Sequence, residues 1–357
     1  MSALTHHSAN KSPTSSQAIF ESPRISSWRT ESVLHIFSDT WLRYDGNERD
    51  LPGNEFIRVL RILVKQLHAF SNSVDLDNTP MSALRKIAQP MMNTKIYPLL
   101  RNLISRWPLD SSFSVVLELW LSYIQPWRYT FNREIRSNEE IQIHQIYESF
   151  IAENLIAYTQ IFNQLVLRLE RLDLATYKNV LMLHRMLKVF NQPRLADLIK
   201  NSECFMSTNN IMSSIHDSPI RRKNPAYYNF NTSETEYYSF YKSDNSIHEE
   251  NYSFMFSTER INEIEKLIKK MQLAKIIAND QLIVLNKEIN EHYKGIMKYI
   301  RWFIPHDEDP ILEIKLSETK RIPDILDLAI QTLSNMFQVS KNIFILNLPY
   351  YYFYLQF

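Results

Sequence analysis

Two short acidic segments carry the side chains that most often hold a divalent cation. His306-Asp307-Glu308-Asp309 combines an imidazole with three carboxylates, and Asp75-Leu76-Asp77-Asn78 combines two carboxylates with an amide. Oxygen ligands of this kind suit Mg²⁺. Three consecutive acidic residues cannot all face one ion without an unusual backbone, however. The favoured interpretation is therefore a solvated turn for the first segment and a polar turn for the second.

No familiar catalytic motif accompanies these segments. The sequence contains neither the H-E-x-x-H pattern of zinc proteases nor the G-x-S-x-G pattern of α/β-hydrolases. The single cysteine, Cys204, excludes an intrachain disulfide and fits a reducing compartment. Five histidines lie inside helical patterns, where an imidazole is more often packed than catalytic: His35, His68, His144, His184 and His292. The catalytic, cofactor-binding and metal-binding residues are therefore unknown from the sequence.

The scarcity of glycine indicates the fold class. The 357 residues include 3 glycines, whereas average usage would give about 25. Gly46, Gly53 and Gly295 are too far apart to build the phosphate-binding loop of a P-loop or dinucleotide-binding protein. Sheet proteins also rely on glycine in their hairpin turns. The composition predicts an all-α protein.

Helical periodicity supports that prediction from Pro52-Gly53 onward. The first amphipathic helix places its apolar residues on one stripe: Phe56, Val59, Leu60, Leu63, Leu67 and Phe70. Pro90 and Pro98 interrupt the pattern between Met81 and Trp107, which predicts two short helices there.

More helices with capping signals follow. We predict helices over 111–124 after Asp110, from the capping box at 137–140 towards Leu172, over 174–190 after Asp173, and from Pro193 to near Asn201. The succession predicts a helical array that resembles an α-solenoid.

A long helix with a coiled-coil-like seam is predicted in the C-terminal third. Counting in heptads from Ile261 to Phe303, eleven of thirteen a and d positions are apolar. Packing against neighbouring helices of the same chain is favoured over recruitment of another chain. A shorter helix from Ile322 to Phe337 is predicted after it.

The composition divides the chain into five segments. They are a disordered leader (1–27), a helical array domain (28–202), a Ser/Asn/Tyr-rich linker or insertion (203–256), a long-helix block (257–340) and a hydrophobic aromatic tail (341–357). The linker carries Ser218-Pro219 before basic residues, which fits a kinase target or a plain solvated loop. The tail fits a packed terminal segment, an interfacial anchor, or the start of a longer hydrophobic segment.

The overall charge disfavours nucleic acid as a partner. Forty Lys and Arg residues balance 39 Asp and Glu residues, which leaves a net charge of +1. Such a chain has no global field that would attract a polyanion.

One segment carries a family resemblance. Trp120 to Tyr129 reads WLSYIQPWRY, and upstream of it lie the segments LVKQLHAF (63–70) and PLLR (98–101). Together they resemble the sphingomyelin phosphodiesterase 4 (neutral sphingomyelinase type 3) family, and a partial or alternatively spliced form of it. Trp120 and Ile124 are expected in the core. Trp127, Arg128 and Tyr129 are expected to pack in the core or to present an aromatic and basic edge to lipid headgroups.

The resemblance implies an enzyme that hydrolyses sphingomyelin to ceramide and phosphocholine with Mg²⁺. It also implies a partner membrane that contains sphingomyelin, with residence on the cytosolic face of endoplasmic reticulum, Golgi and nuclear-envelope membranes near nuclear pore or envelope proteins. It carries over no catalytic residue. The alternative function, favoured by the helical array and the long seam, is a non-catalytic helical scaffold at the nuclear envelope or endoplasmic reticulum.

Overall fold

The computed structural model describes residues 51–73, 80–129, 147–215, 252–292 and 310–340, with isolated positions between Ser32 and Leu42. The described residues form α-helices and one 3₁₀ helix, and no strand occurs among them, so the predicted all-α class is confirmed. The helices are α1 (Asn54–Ser71), α2 (Pro80–Arg106), α3 (Phe113–Tyr123), the 3₁₀ helix (Pro126–Tyr129), α4 (Glu148–Glu153), α5 (Leu155–Leu169), α6 (Tyr177–Phe190), α7 (Leu195–Ile215), α8 (Thr258–His292) and α9 (Pro310–Phe337).

A single hydrophobic core joins these helices. Helix α5 contacts α2, α4, α7 and α8, while α1 packs on α2, α3 and the 3₁₀ helix. Helix α6 connects the two sides, because it contacts α3 on one side and α9 on the other. Three rings meet where α5, α6 and α9 converge: Phe162 lies 4.9 Å from Phe190 and 5.9 Å from Phe337 between ring centroids.

Helix α3 is short but buried along almost its whole length. Trp120 and Ile124 have no exposed surface, which confirms their predicted place in the core. Two buried polar side chains of this region form hydrogen bonds, as buried groups require. The indole of Trp120 donates to the carbonyl oxygen of Ala157 at 2.9 Å, and the hydroxyl of Tyr158 donates to the carbonyl oxygen of Ile124 at 2.5 Å.

The prediction of two short helices around Pro90 and Pro98 is wrong. Helix α2 runs without a break from Pro80 to Arg106. A proline inside a helix costs about 3 kcal/mol, because it removes one backbone hydrogen bond and crowds the preceding turn. Helix α2 offsets this with a buried face, which includes Ile96, Leu100 and Leu103 at 0% exposure.

The C-terminal end of α2 is closed by a side chain from α5. The guanidinium of Arg168 donates to the carbonyl oxygens of Ile104, Ser105 and Trp107, and it lies 5.1 Å from the ring centroid of Phe113. The last carbonyl groups of a helix have no partner within the helix and carry a partial negative charge. Arg168 therefore satisfies them and fixes α5 against α2 at the same time.

Several predicted boundaries differ from the structure. The run towards Leu172 is divided at Asn154, and Asp110 accepts from Ser112 in the turn before α3 instead of capping the helix itself. The helix predicted to end near Asn201 continues to Ile215. Helix α9 begins at Pro310, well before Ile322, because proline is favoured in the first turn of a helix.

Glu203 on α7 explains part of that extension. Its buried carboxylate accepts from the backbone N–H of Met255 at 2.7 Å, from the hydroxyl of Tyr252 at 2.9 Å and from the backbone N–H of Phe256 at 3.4 Å. Burial raises the pKa of Glu203, and these bonds oppose the shift. Tertiary contacts of this kind outweigh the weak helix propensity of the residues that follow Glu203.

The first part of the predicted seam is buried within the chain, and the positions beyond His292 lie outside the described residues. Ile264, Ile268 and Met271 have no exposed surface, and α8 packs along α9. Lys275, a charged residue in the seam, pairs with Asp327 of α9 at 2.5 Å. Towards the end of α8, Ile283 and Val284 are exposed.

Several sequence predictions lie outside the described residues. They are the two acidic segments at 75–78 and 306–309, the capping box at 137–140, His35 and His144, the seam positions beyond His292, the Ser218-Pro219 site, the leader (1–27) and the tail (341–357). Within the described ranges, none of the helices has the length and apolar character needed to cross a bilayer.

Candidate functional site

One face of α1 carries a polar stripe that contacts α3 and the 3₁₀ helix. Arg61, Lys65, His68 and Asn72 follow one another at spacings of four, three and four residues, so they lie on one side of the helix. The side-chain amide of Asn72 donates to the carbonyl oxygen of Pro126 at 2.8 Å. The sequence thus places basic, imidazole and amide groups along a single interface.

Glu118 is a lone carboxylate in the apolar sequence of α3, and two arginines bind it. Arg61 of α1 pairs with one of its oxygens, and Arg185 of α6 pairs with the other at 2.7 Å. Arg61 also donates from Nε to the hydroxyl of Ser122 at 3.0 Å. The arrangement ties α1, α3 and α6 together at a partly exposed position, where its effect on stability is modest.

Two further cations stand beside this triad. Burial lowers the pKa of Lys65, and Arg61 and Arg128 lower it further, while Glu118 opposes them. Neither Lys65 nor Arg128 forms an ion pair with another described residue. We call Arg61, Lys65, Arg128, Arg185 and Glu118 the cationic cluster. Four positive charges against one negative charge leave an excess that attracts anions.

His68 lies one turn beyond Lys65 and is completely buried. Its Nε2 lies 2.9 Å from the carbonyl oxygen of Tyr123, an acceptor, so Nε2 carries the proton. The ring stacks on Tyr129 at 5.9 Å and meets the edge of Phe150 at 5.7 Å. Burial lowers the pKa of His68 to about 4, and the bond to Tyr123 opposes this. His68 is therefore neutral at pH 7 and orients the 3₁₀ helix, as expected of a packed histidine.

The end of the distinctive segment is mostly buried. Trp127 is buried, Tyr129 is half-buried against His68, and Arg128 faces solvent. The core-packing interpretation holds for the two aromatic residues. Of the three residues, only Arg128 forms the exposed basic edge that the sequence predicted.

A second concave site lies between α6 and α9. A cleft of about 270 Å³ opens beside His184, Lys188 and Asn191 of α6, and its other wall contains Leu328 and Thr332 of α9. Burial lowers the pKa of His184, and the charge of Lys188 adds to this effect. Among the described residues that line the cleft, none carries a carboxylate.

Mg²⁺ does not fit the cationic cluster. Both oxygens of Glu118 already accept from arginine, and four cations repel a divalent ion. In the part of the chain that the structure describes, no group of three His, Cys, Asp or Glu side chains could hold a metal ion.

Sequence reasoning missed the cluster, although two signals point to it. Arg61 and Lys65 share the face of His68, and Glu118 is the single charge in the eleven residues of α3. A charge in an otherwise apolar helix needs a partner from elsewhere in the fold. Its partners come from α1 and α6, which are distant in sequence and could not be found without the packing.

The comparisons with known proteins identify the family of the chain. Residues 44–345 match the family described as "Mitochondrial-associated sphingomyelin phosphodiesterase". The chain is similar to "Sphingomyelin phosphodiesterase 4" of Danio rerio, with 34% identity over 56% of this chain and 28% of the relative. The proteins of that name from Mus musculus and Homo sapiens are 38% and 36% identical over 49% of this chain, and over 28% and 27% of their own lengths.

These matches identify the family and show how much of each relative the chain covers. The match spans less than a third of the length of these curated relatives. No solved structure matches the chain. The resemblance predicted from the segment that begins at Trp120 is confirmed, and the chain belongs to the mitochondrial-associated sphingomyelin phosphodiesterase family.

Proposed function

We propose that this chain takes part in the hydrolysis of sphingomyelin to ceramide and phosphocholine. The observation that carries the proposal is the family match, which extends over residues 44–345. The relatives that match it are named for the same activity.

The charge of the cationic cluster supports the proposal. Hydrolysis joins a water oxygen to phosphorus, breaks the phosphorus–oxygen bond to ceramide and leaves a proton on the ceramide oxygen. Negative charge grows on the non-bridging phosphoryl oxygens during this step, and positioned cations stabilise it. Lys65 and Arg128 can take this role, since neither is committed to a described carboxylate.

Release of phosphocholine from sphingomyelin vesicles tests the proposal. The chain is purified free of other sphingomyelinases and compared with Lys65→Met and with a matched variant, Lys266→Met, at an exposed position on α8. We expect release by the wild type and by Lys266→Met, and about a hundredfold less by Lys65→Met. Wild-type release no greater than that of a heat-inactivated sample overturns the proposal. Equal release of phosphocholine by both variants shows that the cationic cluster takes no part in the hydrolysis.

Magnesium dependence and membrane residence extend the same proposal. Titration with EDTA and restoration with Mg²⁺ measure how far the release of phosphocholine depends on magnesium. Cell fractionation and microscopy measure membrane residence, with endoplasmic reticulum, Golgi and nuclear-envelope membranes as the expected compartments and their cytosolic face as the expected side.

A scaffold at the nuclear envelope or endoplasmic reticulum is the second candidate function. The exposed pair Ile283 and Val284 on α8 favours it, because adjacent apolar side chains on a helix can contact a partner. Proximity labelling that recovers envelope or pore proteins, and recovers them less with Ile283→Asn, supports the scaffold. Labelling that recovers none of them counts against it.

A further inference from the structure

The outer surface of α1 places exposed apolar side chains beside the cationic cluster. Val59 and Ile62 are 43% and 58% exposed. Ile62 precedes Lys65 by three residues, so the two side chains are neighbours on the helix surface. An apolar residue in this position gains nothing from the core of the chain.

The cluster faces the same side of the molecule. Ile57, Leu60 and Val64 define the buried face of α1, and Arg61 and Lys65 lie between that face and Ile62. Arg128 joins them from the 3₁₀ helix, which is held against α1 by His68 and Asn72.

The charges around this surface are largely of one sign. Arg58 is paired with Glu55 on the exposed side of α1, and Glu118 is paired with Arg61 and Arg185. Lys65 and Arg128 are the cations that these described carboxylates leave uncompensated. A ligand here must bring negative charge to two adjacent cations and tolerate apolar contact next to it.

We propose that Lys65 and Arg128 bind the phosphate of a phospholipid headgroup while Val59 and Ile62 contact the interfacial region of the same membrane. A phosphate group accepts several hydrogen bonds, and cationic side chains recognise it through charge-assisted bonds. A basic patch with a few apolar side chains is the combination that holds a protein at an anionic membrane surface. Free phosphate shares the charge but has nothing to place against Ile62, which favours the lipid.

The binding experiment needs no hydrolysis, although it shares the cluster with the proposed function. The full chain is mixed with phosphatidylcholine vesicles that contain phosphatidic acid and no sphingomyelin, and bound protein is measured by sedimentation. We expect Lys65→Met and Arg128→Met each to weaken vesicle binding about fivefold, and Lys65→Arg to retain it. Lys266→Met removes an exposed lysine from α8 and is the matched control, for which we expect no change.

A second variant separates the lipid from free phosphate. Ile62→Ser is expected to weaken vesicle binding without changing the affinity for inorganic phosphate measured by calorimetry, whereas Lys65→Met weakens both. Because Ile62 is exposed, its replacement leaves the fold intact, which circular dichroism checks. Equal weakening by Lys65→Met and Lys266→Met overturns the site, because it shows attraction by overall charge. Unchanged vesicle binding by Ile62→Ser overturns the membrane contact.

These outcomes are distinguishable from failure of the proposed function. A chain that binds phosphatidic acid vesicles through Lys65 and releases no phosphocholine retains this inference and loses the hydrolytic one. A chain that releases phosphocholine, and that binds the vesicles equally well after Lys65→Met, retains the proposed hydrolysis and loses this inference.

Discussion

Replacing His68 with glutamine should flatten the dependence of stability on pH. Glutamine can still donate to the carbonyl oxygen of Tyr123, which His68 contacts at 2.9 Å, but it has no proton to gain in acid. The change therefore isolates the titration of one buried side chain. At pH 7 the variant will be less stable than the wild type, because it loses the ring contacts with Tyr129 and Phe150.

The size of the effect follows from the pKa of His68. Burial lowers this pKa from 6.5 to about 4, so the unfolded chain takes up the proton first as the pH falls. Above pH 6.5 His68 is neutral in both the folded and the unfolded chain, so its protonation does not lower the free energy of unfolding. With about 1.36 kcal/mol for each pKa unit, the linkage lowers the free energy of unfolding by about 2 kcal/mol between pH 7 and pH 5, and by about 3 kcal/mol below pH 4.

Urea unfolding at pH 7, 6 and 5, followed by tryptophan fluorescence, measures this difference. Burial raises the pKa of Glu203, which gives a contribution of opposite sign, but that residue is present in both proteins and cancels. We expect the gap in unfolding free energy between wild type and H68Q to narrow by about 2 kcal/mol from pH 7 to pH 5. A gap that stays constant over this range refutes the assignment of a buried, neutral histidine.

Three other substitutions test the packing. Arg168→Met should lower the free energy of unfolding by about 3 kcal/mol, because it leaves the carbonyl groups at the end of α2 without their partner, while exposed Arg171→Met should change little. Glu203→Ala should speed amide hydrogen exchange at residues 252–256, where it removes the acceptor of two backbone N–H groups; unchanged exchange contradicts this. On α5, Ile161→Ala at 0% exposure should cost about 2–5 kcal/mol and Leu167→Ala at 41% exposure should cost little, as measured by urea midpoints.

The helical fold could be predicted because its signals are local. The apolar spacing predicted helix α1 but not which face is buried: the structure buries Ile57, Leu60 and Val64, while Val59 of the predicted stripe is exposed. The continuity of α2 through Pro90 could not be predicted, since it depends on packing energy that competes with the proline penalty. The length of α7 likewise depends on Glu203 and a segment about fifty residues away.

The candidate site was harder to predict for the same physical reason. The resemblance located the segment from Trp120 to Tyr129, and the structure shows that this segment packs against α5 and α1. The charges beside it come from three helices separated by many residues. Spacing within one helix could align Arg61 with Lys65, but it could not supply Arg128 or Arg185.

The burial of Trp120, Tyr123 and Ile124 has a consequence for how a chain of this kind is recognised and altered. The residues from Trp120 to Trp127 are buried and maintain the fold, whereas Arg128 of the same segment is exposed. A protein could keep these buried residues after Lys65 and Arg128 are replaced, and it would still resemble its relatives. Engineering can exploit the same separation: exposed residues of α1 such as Val59 and Ile62 can be replaced to test its surface while the buried residues keep the helices in place.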